Sequence, residues 1–179
     1  MPKLFSFAGL PGAGKTTIAQ LLSREIGAVY LRVDEIDAAI WRIDPHRDIG
    51  AESYHIAAAL AASNLGLGHD AIIDCVNPWA CTREIFAAAA SGTGMGLLGI
   101  EVHCSDQLKR RQRLEGKQPK VPGLKQVDWL KALSRDYSPW LEADVRIDTA
   151  RQSPEDAIQL ILATMAGITD ASPAPSGEG

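Results

Sequence analysis

The sequence has no apolar run long enough to cross a membrane. Its longest uninterrupted stretches, such as Ile56 to Ala62, reach seven residues, where a helical span needs roughly 20. Cysteine is scarce. Cys75, Cys81 and Cys104 are odd in number and lack metal-ligand spacing, which excludes a disulfide scaffold and suits reduced thiols in the cytoplasm. The four histidines fall in no metal or catalytic spacing, and no Asn-Lys-x-Asp guanine-reading motif occurs. The opening residues have too short an apolar stretch, broken by Gly and Pro, to read as a signal peptide. A net charge of −4 argues against coating nucleic acid by bulk electrostatics.

What is present is a chain of 179 residues, 46% apolar and 22% charged, the balance of one soluble globular domain with a sizeable core. Its charge is uneven. Between Asp106 and Lys120 lie Lys109, Arg110, Arg111, Arg113, Lys117 and Lys120 against Asp106 and Glu115. Such a block on an otherwise acidic body is either a site for a small anion such as a nucleotide or a solvated helix face.

Two hydrophobic patterns alternate along the chain. Short β-rich runs occur at Leu4–Ala8, Val29–Val33, Ala71–Cys75, Leu97–Cys104 and Val145–Ile147. Helical periodicity covers Lys15–Ile26, Asp34–Ile43, Ala51–Leu65, Trp79–Ala90, Asp106–Leu114, Val127–Arg135 and Pro154–Ala166. Gly27 is placed to stop the first helix, Pro45 to end the second, and Ser153-Pro154-Glu155-Asp156 to open the last. Strands separated by helices pair in parallel through right-handed crossovers. The expected fold is therefore α/β, a three-layer sandwich around a five-stranded parallel sheet, with ligands outside the carboxyl ends of the strands. The domain is expected over residues 1–168, with a basic lid at about 106–126. The tail, residues 169–179, has almost nothing to bury and is expected to be disordered.

One motif carries the chemistry. Gly9-Leu10-Pro11-Gly12-Ala13-Gly14-Lys15-Thr16 fits the phosphate-binding pattern Gly-x-x-x-x-Gly-Lys-Thr, between an apolar strand and an amphipathic helix. Its glycines let successive N–H groups turn inward around a phosphate at a helix N-terminus. Lys15 reaches the β- and γ-phosphates and the Thr16 hydroxyl is a magnesium ligand. The nucleotide-facing set is Gly9, Gly12, Ala13, Gly14, Lys15, Thr16 and Thr17.

Around this loop the sequence offers further candidates. Asp74 closes the third strand, the position of an acid that holds magnesium through water, although many strands end in Asp at a turn. Asp74 on the third strand suits the strand order 2-3-1-4-5. Asp34 closes the second strand, two positions from the loop strand in that order. It either orients and deprotonates an acceptor hydroxyl or caps the next helix. Arg111 and Arg113, with Lys117, are candidates to neutralise charge on a transferring phosphoryl group. Val121-Pro122-Gly123 would be the turn closing the lid. Asn77 and Arg83 are candidates for an acceptor pocket, with plain turn chemistry at Asn77-Pro78 the alternative. Tyr54 and His55 read as core or pocket, and Trp129, Tyr137 and Trp140 as packing between lid and body.

With these residues in place, the chain resembles the P-loop small-molecule kinases grouped with zeta toxins, chloramphenicol phosphotransferase, adenylylsulfate kinase and gluconate kinase, catalogued as AAA-family ATP-binding proteins. The resemblance runs from about Lys3 to Ala166. It rests on Ala8 to Thr16, Tyr30-Leu31-Arg32-Val33-Asp34, Asp74-Cys75-Val76-Asn77-Pro78, Cys104-Ser105-Asp106, Val121-Pro122-Gly123-Leu124, Arg135-Asp136-Tyr137-Ser138-Pro139-Trp140 and Ile147-Asp148-Thr149. It implies an ATP-dependent kinase with a mobile lid, an acceptor-facing Asp34, a magnesium-linked Asp74 and lid arginines Arg111 and Arg113. Where members often place a further arginine this chain has Lys117, a point charge without the guanidinium fork. The expected activity is ATP- and magnesium-dependent transfer to a hydroxyl of a small molecule, with no membrane or nucleic-acid partner. A 5′-hydroxyl polynucleotide kinase and a non-catalytic ATP sensor are the alternatives.

Overall fold

The computed structural model describes residues 1–116, 122, 124 and 127–170. Lys117, Lys120, Val121 and Gly123 of the expected lid, and residues 171–179 of the tail, lie outside them.

Five strands form one sheet: β1 (Lys3–Ala8), β2 (Val29–Arg32), β3 (Ala71–Asp74), β4 (Gly96–His103) and β5 (Val145–Asp148). All pairings are parallel and the order is β2-β3-β1-β4-β5. The helices are α1 (Lys15–Ile26), α2 (Val33–Ile43), α3 (Glu52–Gly66), α4 (Ala80–Gly92), α5 (Gln107–Glu115), α6 (Trp129–Leu133) and α7 (Pro154–Asp170). The architecture is the P-loop NTPase three-layer sandwich that the alternating pattern predicts. Among the described residues no helix is long and apolar enough to cross a membrane.

The sheet is covered on both faces, which is why its central strand reads as an apolar run and not as an alternation. Along β1 the side chains still divide by parity. Phe5 and Phe7 join Ile18, Leu22, Ile100, Val102, Ile147 and Ile161 on the face packed by α1 and α7. Leu4 joins Ile73, Ala57, Ala61, Leu65 and Phe86 on the face packed by α3 and α4. Truncating a buried Phe such as Phe7, wholly excluded from solvent, would cost about 3–5 kcal/mol.

Three elements differ from the sequence reading. Helix α2 begins at Val33 directly from β2, with extended Arg32 at its N-cap and no side-chain cap. Asp34 is thus inside the first turn and caps nothing. Helix α6 is shorter than expected, because Asp128 accepts the Lys131 amide at 2.8 Å and sets its start, while the chain from 136 onward is drawn onto the sheet. Helix α7 continues through Thr169 and Asp170, since no proline interrupts it before Pro173.

The carboxyl ends of β4 and β5 are joined by Asp148. It accepts hydrogen bonds from the Ser105 amide at 3.0 Å, the Ser105 hydroxyl at 2.7 Å and the Ala150 amide at 3.0 Å. Burial opposes its ionisation, but these donors outweigh burial and hold its carboxyl at about 2, below the ordinary 3.8. A depressed carboxyl contributes stability that is complete above its unfolded value and is lost as pH falls through its folded one. Unfolding midpoints in urea should therefore fall between about pH 4 and about pH 2. Asp148→Asn should cost about 1–2 kcal/mol at neutral pH and flatten that slope; an unchanged slope would show that the carboxylate contributes nothing.

Candidate active site

The loop between β1 and α1 is shaped by close backbone approaches. Gly9 has φ 139°, and a Cβ there would lie 2.0 Å from the Val102 carbonyl oxygen of β4. Its N–H donates to the Val76 carbonyl beyond β3 at 3.0 Å. Gly12 has φ 82°, and its missing Cβ would meet the Arg110 carbonyl of α5 at 2.8 Å. Gly14 is the left-handed N-cap of α1. Ala13 is buried, and its carbonyl accepts the Thr149 hydroxyl at 2.7 Å. The loop is therefore held by the ends of β3, β4 and β5 at once.

Lys15 opens α1 and is 8% exposed. Its Nζ donates to the Leu10 carbonyl at 3.2 Å, folding back over the loop. Burial lowers its pKa, opposed by the charges of Asp74 and Asp34. Thr16 follows in the first turn, half-buried, and Thr17 is exposed.

Asp74 is 3% exposed at the end of β3, beside Arg32 of β2 in register. Its Oδ2 accepts the Tyr30 hydroxyl at 2.7 Å and lies 3.7 Å from the Arg32 Nε. Burial and the Asp74 charge both push the Tyr30 phenol far above its ordinary range, so it stays a donor. Both contacts address Oδ2 and leave Oδ1 for another donor. Asp34 receives the Arg32 Nη2 at 2.8 Å. Arg32 thus ties the two carboxylates that surround Lys15.

Beyond the loop is a cavity of about 410 Å³. Asp34 and Asp37 of α2, Ser53 and Tyr54 of α3, and Cys75 and Val76 after β3 line it, with Arg47 to Gly50 and Arg135 closing it. The Trp41 indole donates to the Arg47 carbonyl at 3.1 Å and holds that segment across α2. Burial raises the pKa of Asp37 against a hydrogen bond from Ser53, and burial raises the Cys75 thiol well above its ordinary value. Tyr54 stacks on Phe86 with centroids 5.8 Å apart, whereas His55 faces solvent.

The basic block divides by helical phase. Arg110, Arg113 and Leu114 share the inward face of α5. Arg110 is 8% exposed; its Nε donates to the Pro11 carbonyl at 3.0 Å and its Nη2 to the Ala132 carbonyl at 3.0 Å. Its guanidinium also lies 5.2 Å from the Trp129 ring centre. Arg113 donates to the Thr149 hydroxyl at 2.7 Å and carbonyl at 3.1 Å, beside Gly14. Arg111 faces away and pairs with Glu115 at 2.8 Å on the surface.

Two acceptor candidates are committed elsewhere. Asn77 is buried with φ 49°, and its amide donates to the Ser6 hydroxyl of β1 at 3.2 Å. Arg83 donates to the Asn77 and Ser138 carbonyls and lies over the rings of Tyr137 and Trp140. Neither lines the cavity; the turn-and-clamp alternative describes them. Tyr137 and Trp140 pack against the body through Glu101 of β4, which accepts the Tyr137 hydroxyl at 2.6 Å and the Trp140 amide at 3.1 Å.

Sequence reasoning gave no individual site role to Arg110, Tyr30 or Arg135, and offered Asp37, with Glu35, only as a substitute for Asp34. For Arg110 a signal existed, since it stands four residues before Leu114, the apolar residue of that helix face, and Arg111 does not. Arg135 opens one of the strings that carry the family resemblance, but it lies on the face of no regular element, so periodicity gave it no role.

Among the described residues no three His, Cys, Asp or Glu side chains cluster to hold a metal. The donors left for magnesium are the Thr16 hydroxyl and Asp74 Oδ1, a sparse oxygen set that suits a hydrated magnesium ion completed by phosphate and water.

No curated protein sequence matches the chain. Solved structures do match in fold. APS kinase CysC of Mycobacterium tuberculosis, in complex with AMPPNP and APS, is 19% identical with a TM-score of 0.67, covering 92% of this chain and 98% of its own. A gluconokinase from Sinorhizobium meliloti 1021 is 16% identical with a TM-score of 0.64, covering 94% of each chain. Kti12 of Chaetomium thermophilum, in complex with ADP-AlF3, is 17% identical with a TM-score of 0.67, covering 96% of this chain and 100% of its own. The AAA domain family model matches residues 4–134, from β1 through the loop, the cavity walls and α5 to the end of α6, and the chain belongs to that family.

Proposed function

We propose that the protein is an ATP- and magnesium-dependent phosphotransferase that moves the γ-phosphoryl group to a hydroxyl of a small molecule. The observation that carries this reading is the cavity of about 410 Å³. It opens beside the loop lysine and carries a carboxylate, Asp34, on its wall. A volume of that size suits a small acceptor. Nucleotide-fold likeness to an APS kinase and a gluconokinase supports the reaction class.

In this reading the loop amides and Lys15 hold the β- and γ-phosphates. Thr16 and Asp74 hold magnesium, which when bound offsets phosphate charge. The Tyr30 hydroxyl fixes Asp74 so that Oδ2 is occupied and Oδ1 faces outward. Asp34, steadied by Arg32, orients the acceptor hydroxyl and takes its proton. The acceptor oxygen then bonds to the γ-phosphorus, the bond from that phosphorus to the β,γ-bridging oxygen breaks, and ADP leaves with the electron pair. The carboxylate count of the cavity gives no basic groove for a nucleic-acid strand.

Transfer of labelled phosphate from ATP to members of a metabolite and antibiotic collection tests the activity. Lys15→Ala should abolish that transfer and weaken ATP binding, because it removes the charge aimed at the β- and γ-phosphates; full turnover would place the nucleotide elsewhere. Asp34→Asn should leave the fold and ATP affinity nearly intact, at a cost of about 1 kcal/mol or less in stability. Asn can still accept from Arg32, while the charge of a partly exposed pair is lost. Transfer should fall at least about a hundredfold, the usual loss when a general base is removed. Near wild-type transfer by Asp34→Asn would move acceptor activation to Asp37, the other α2 carboxylate of the cavity.

A further inference from the structure

Arg135 stands apart from the other arginines around the loop. Arg32 is paired with Asp34, Arg47 with Glu52 and Arg111 with Glu115, while Arg110 and Arg113 are spent on carbonyl and hydroxyl oxygens. Among the described residues Arg135 makes no ion pair or hydrogen bond. It nonetheless lines the cavity with Asp34, Asp37 and Tyr54, and its charge is felt at Lys15. Its guanidinium, without a direct partner among the described residues, thus acts at long range on both the cavity carboxylate Asp37 and the loop lysine.

Its position is also fixed from both sides. Two residues upstream of Arg135, α6 ends, and that helix is gripped at the Ala132 carbonyl by Arg110, which holds Pro11 of the loop with its other nitrogen. Immediately downstream, residues 136–140 are strapped to the body. Asp136 accepts the Trp79 indole at 3.2 Å and the Ser138 amide donates to the Pro78 carbonyl at 2.9 Å. Tyr137 and Trp140 both end on buried Glu101, beneath the Arg83 guanidinium. The Trp140 ring lies where a side chain at Gly99 would stand, 2.6 Å from the missing Cβ. The backbone on either side of Arg135 is therefore anchored, upstream to the phosphate loop through Arg110 and downstream to β4 through Glu101.

From this placement we infer that Arg135 is the catalytic cation for the transferring phosphoryl group, a role for which the sequence offers Arg111 and Arg113, with Lys117. The inference rests on the phosphotransfer reading above. As the bond to the bridging oxygen breaks and the bond to the acceptor oxygen forms, charge spreads over the three peripheral oxygens of the γ-phosphorus. Arg135 meets that charge with two parallel N–H donors and exchanges no proton. A cation held by a strapped backbone needs little reorganisation when the charge develops, which is the condition under which such donors contribute most.

The test uses the whole protein with magnesium, ADP and aluminium fluoride as a mimic of the phosphoryl group in transfer, and needs no knowledge of the acceptor. Calorimetry would give the ADP affinity with and without aluminium fluoride. Wild type should gain affinity from the fluoride complex. Arg135→Ala should bind ADP within about twofold of wild type and lose at least about tenfold of that gain. Arg135→Lys should fall between them, because it keeps the charge without the fork. Retained ADP binding shows in the same experiment that each variant is folded. Two results would overturn the assignment: a full fluoride gain in Arg135→Ala, or its loss in Arg111→Ala instead. Wild type that binds ADP with no fluoride gain would overturn the phosphotransfer reading itself, and the role of Arg135 with it.

Discussion

Backbone approaches that tolerate no side chain at Gly9 and Gly12 determine where every other group at this site can stand. At Gly9 the loop lies against β4 so closely that a Cβ would fall 2.0 Å from a carbonyl oxygen, and no relaxation of a neighbouring side chain can relieve a clash with backbone. At Gly12 the obstacle is α5. These approaches hold the loop against the start of α1, where the helix dipole adds positive potential, with the Gly9 amide tied to Val76 and the Ala13 amide to Leu10. They also bring Arg110 within reach of the Pro11 carbonyl and Thr149 within reach of Ala13. The loop is thus a junction through which β4, α5, α6 and the end of β5 are held in one arrangement.

Burying Lys15 at this junction is costly, and the sheet order supplies the compensation. Because β3 lies between β1 and β2, the carboxylate ending β3 falls beside the lysine and the one following β2 falls one strand further out. Arg32, in register with Asp74, links the two. The result is an alternation of lysine, aspartate, arginine and aspartate across the carboxyl edge of the sheet. Each charge lowers the cost of burying its neighbours.

Most of the fold was legible because its signals are periodic and local. Strands bounded by helices, Gly27 after Ile26 and the Pro154 start all acted through backbone preferences that tertiary packing did not override, and α1 has the bounds its periodicity indicates. The phosphate loop was legible for the same reason, being a contiguous string whose glycines have a steric purpose. The roles of individual basic residues were not, since a run such as Lys109 to Arg113 does not say which member points inward. Phase against Leu114 separates Arg110 from Arg111, but a nine-residue helix with so little apolar surface gives that phase weakly. Asn77 and Arg83 read as pocket residues because they follow the third strand. In the folded chain their polar groups satisfy Ser6, a turn carbonyl and the strap, demands that arise only from long-range contacts. Arg135 stands in a string that carries the family resemblance. Its place at the cavity wall was not legible, because it depends on two anchors, Arg110 and Glu101, both distant in sequence.

The division between what the sheet dictates and what it leaves open also explains how fold neighbours under a quarter identical can share this frame. Register along five parallel strands fixes the loop, Lys15, Asp74 and the start of α2, so these positions tolerate few changes. The cavity beyond them is walled by later turns of α2, by residues 47–50 and by α3, none of which is bonded into the sheet. The Trp41 indole and the exposed Arg47–Glu52 pair are among the contacts that hold that wall. Exposed ion pairs of this kind contribute about 1 kcal/mol or less and are readily exchanged. Substitution there would reshape the cavity while leaving the loop and the row of Lys15, Asp74, Arg32 and Asp34 in place. The placement of the loop and its charged row is therefore set by the part of the molecule bonded into the sheet, and the shape of the cavity by the part that is not.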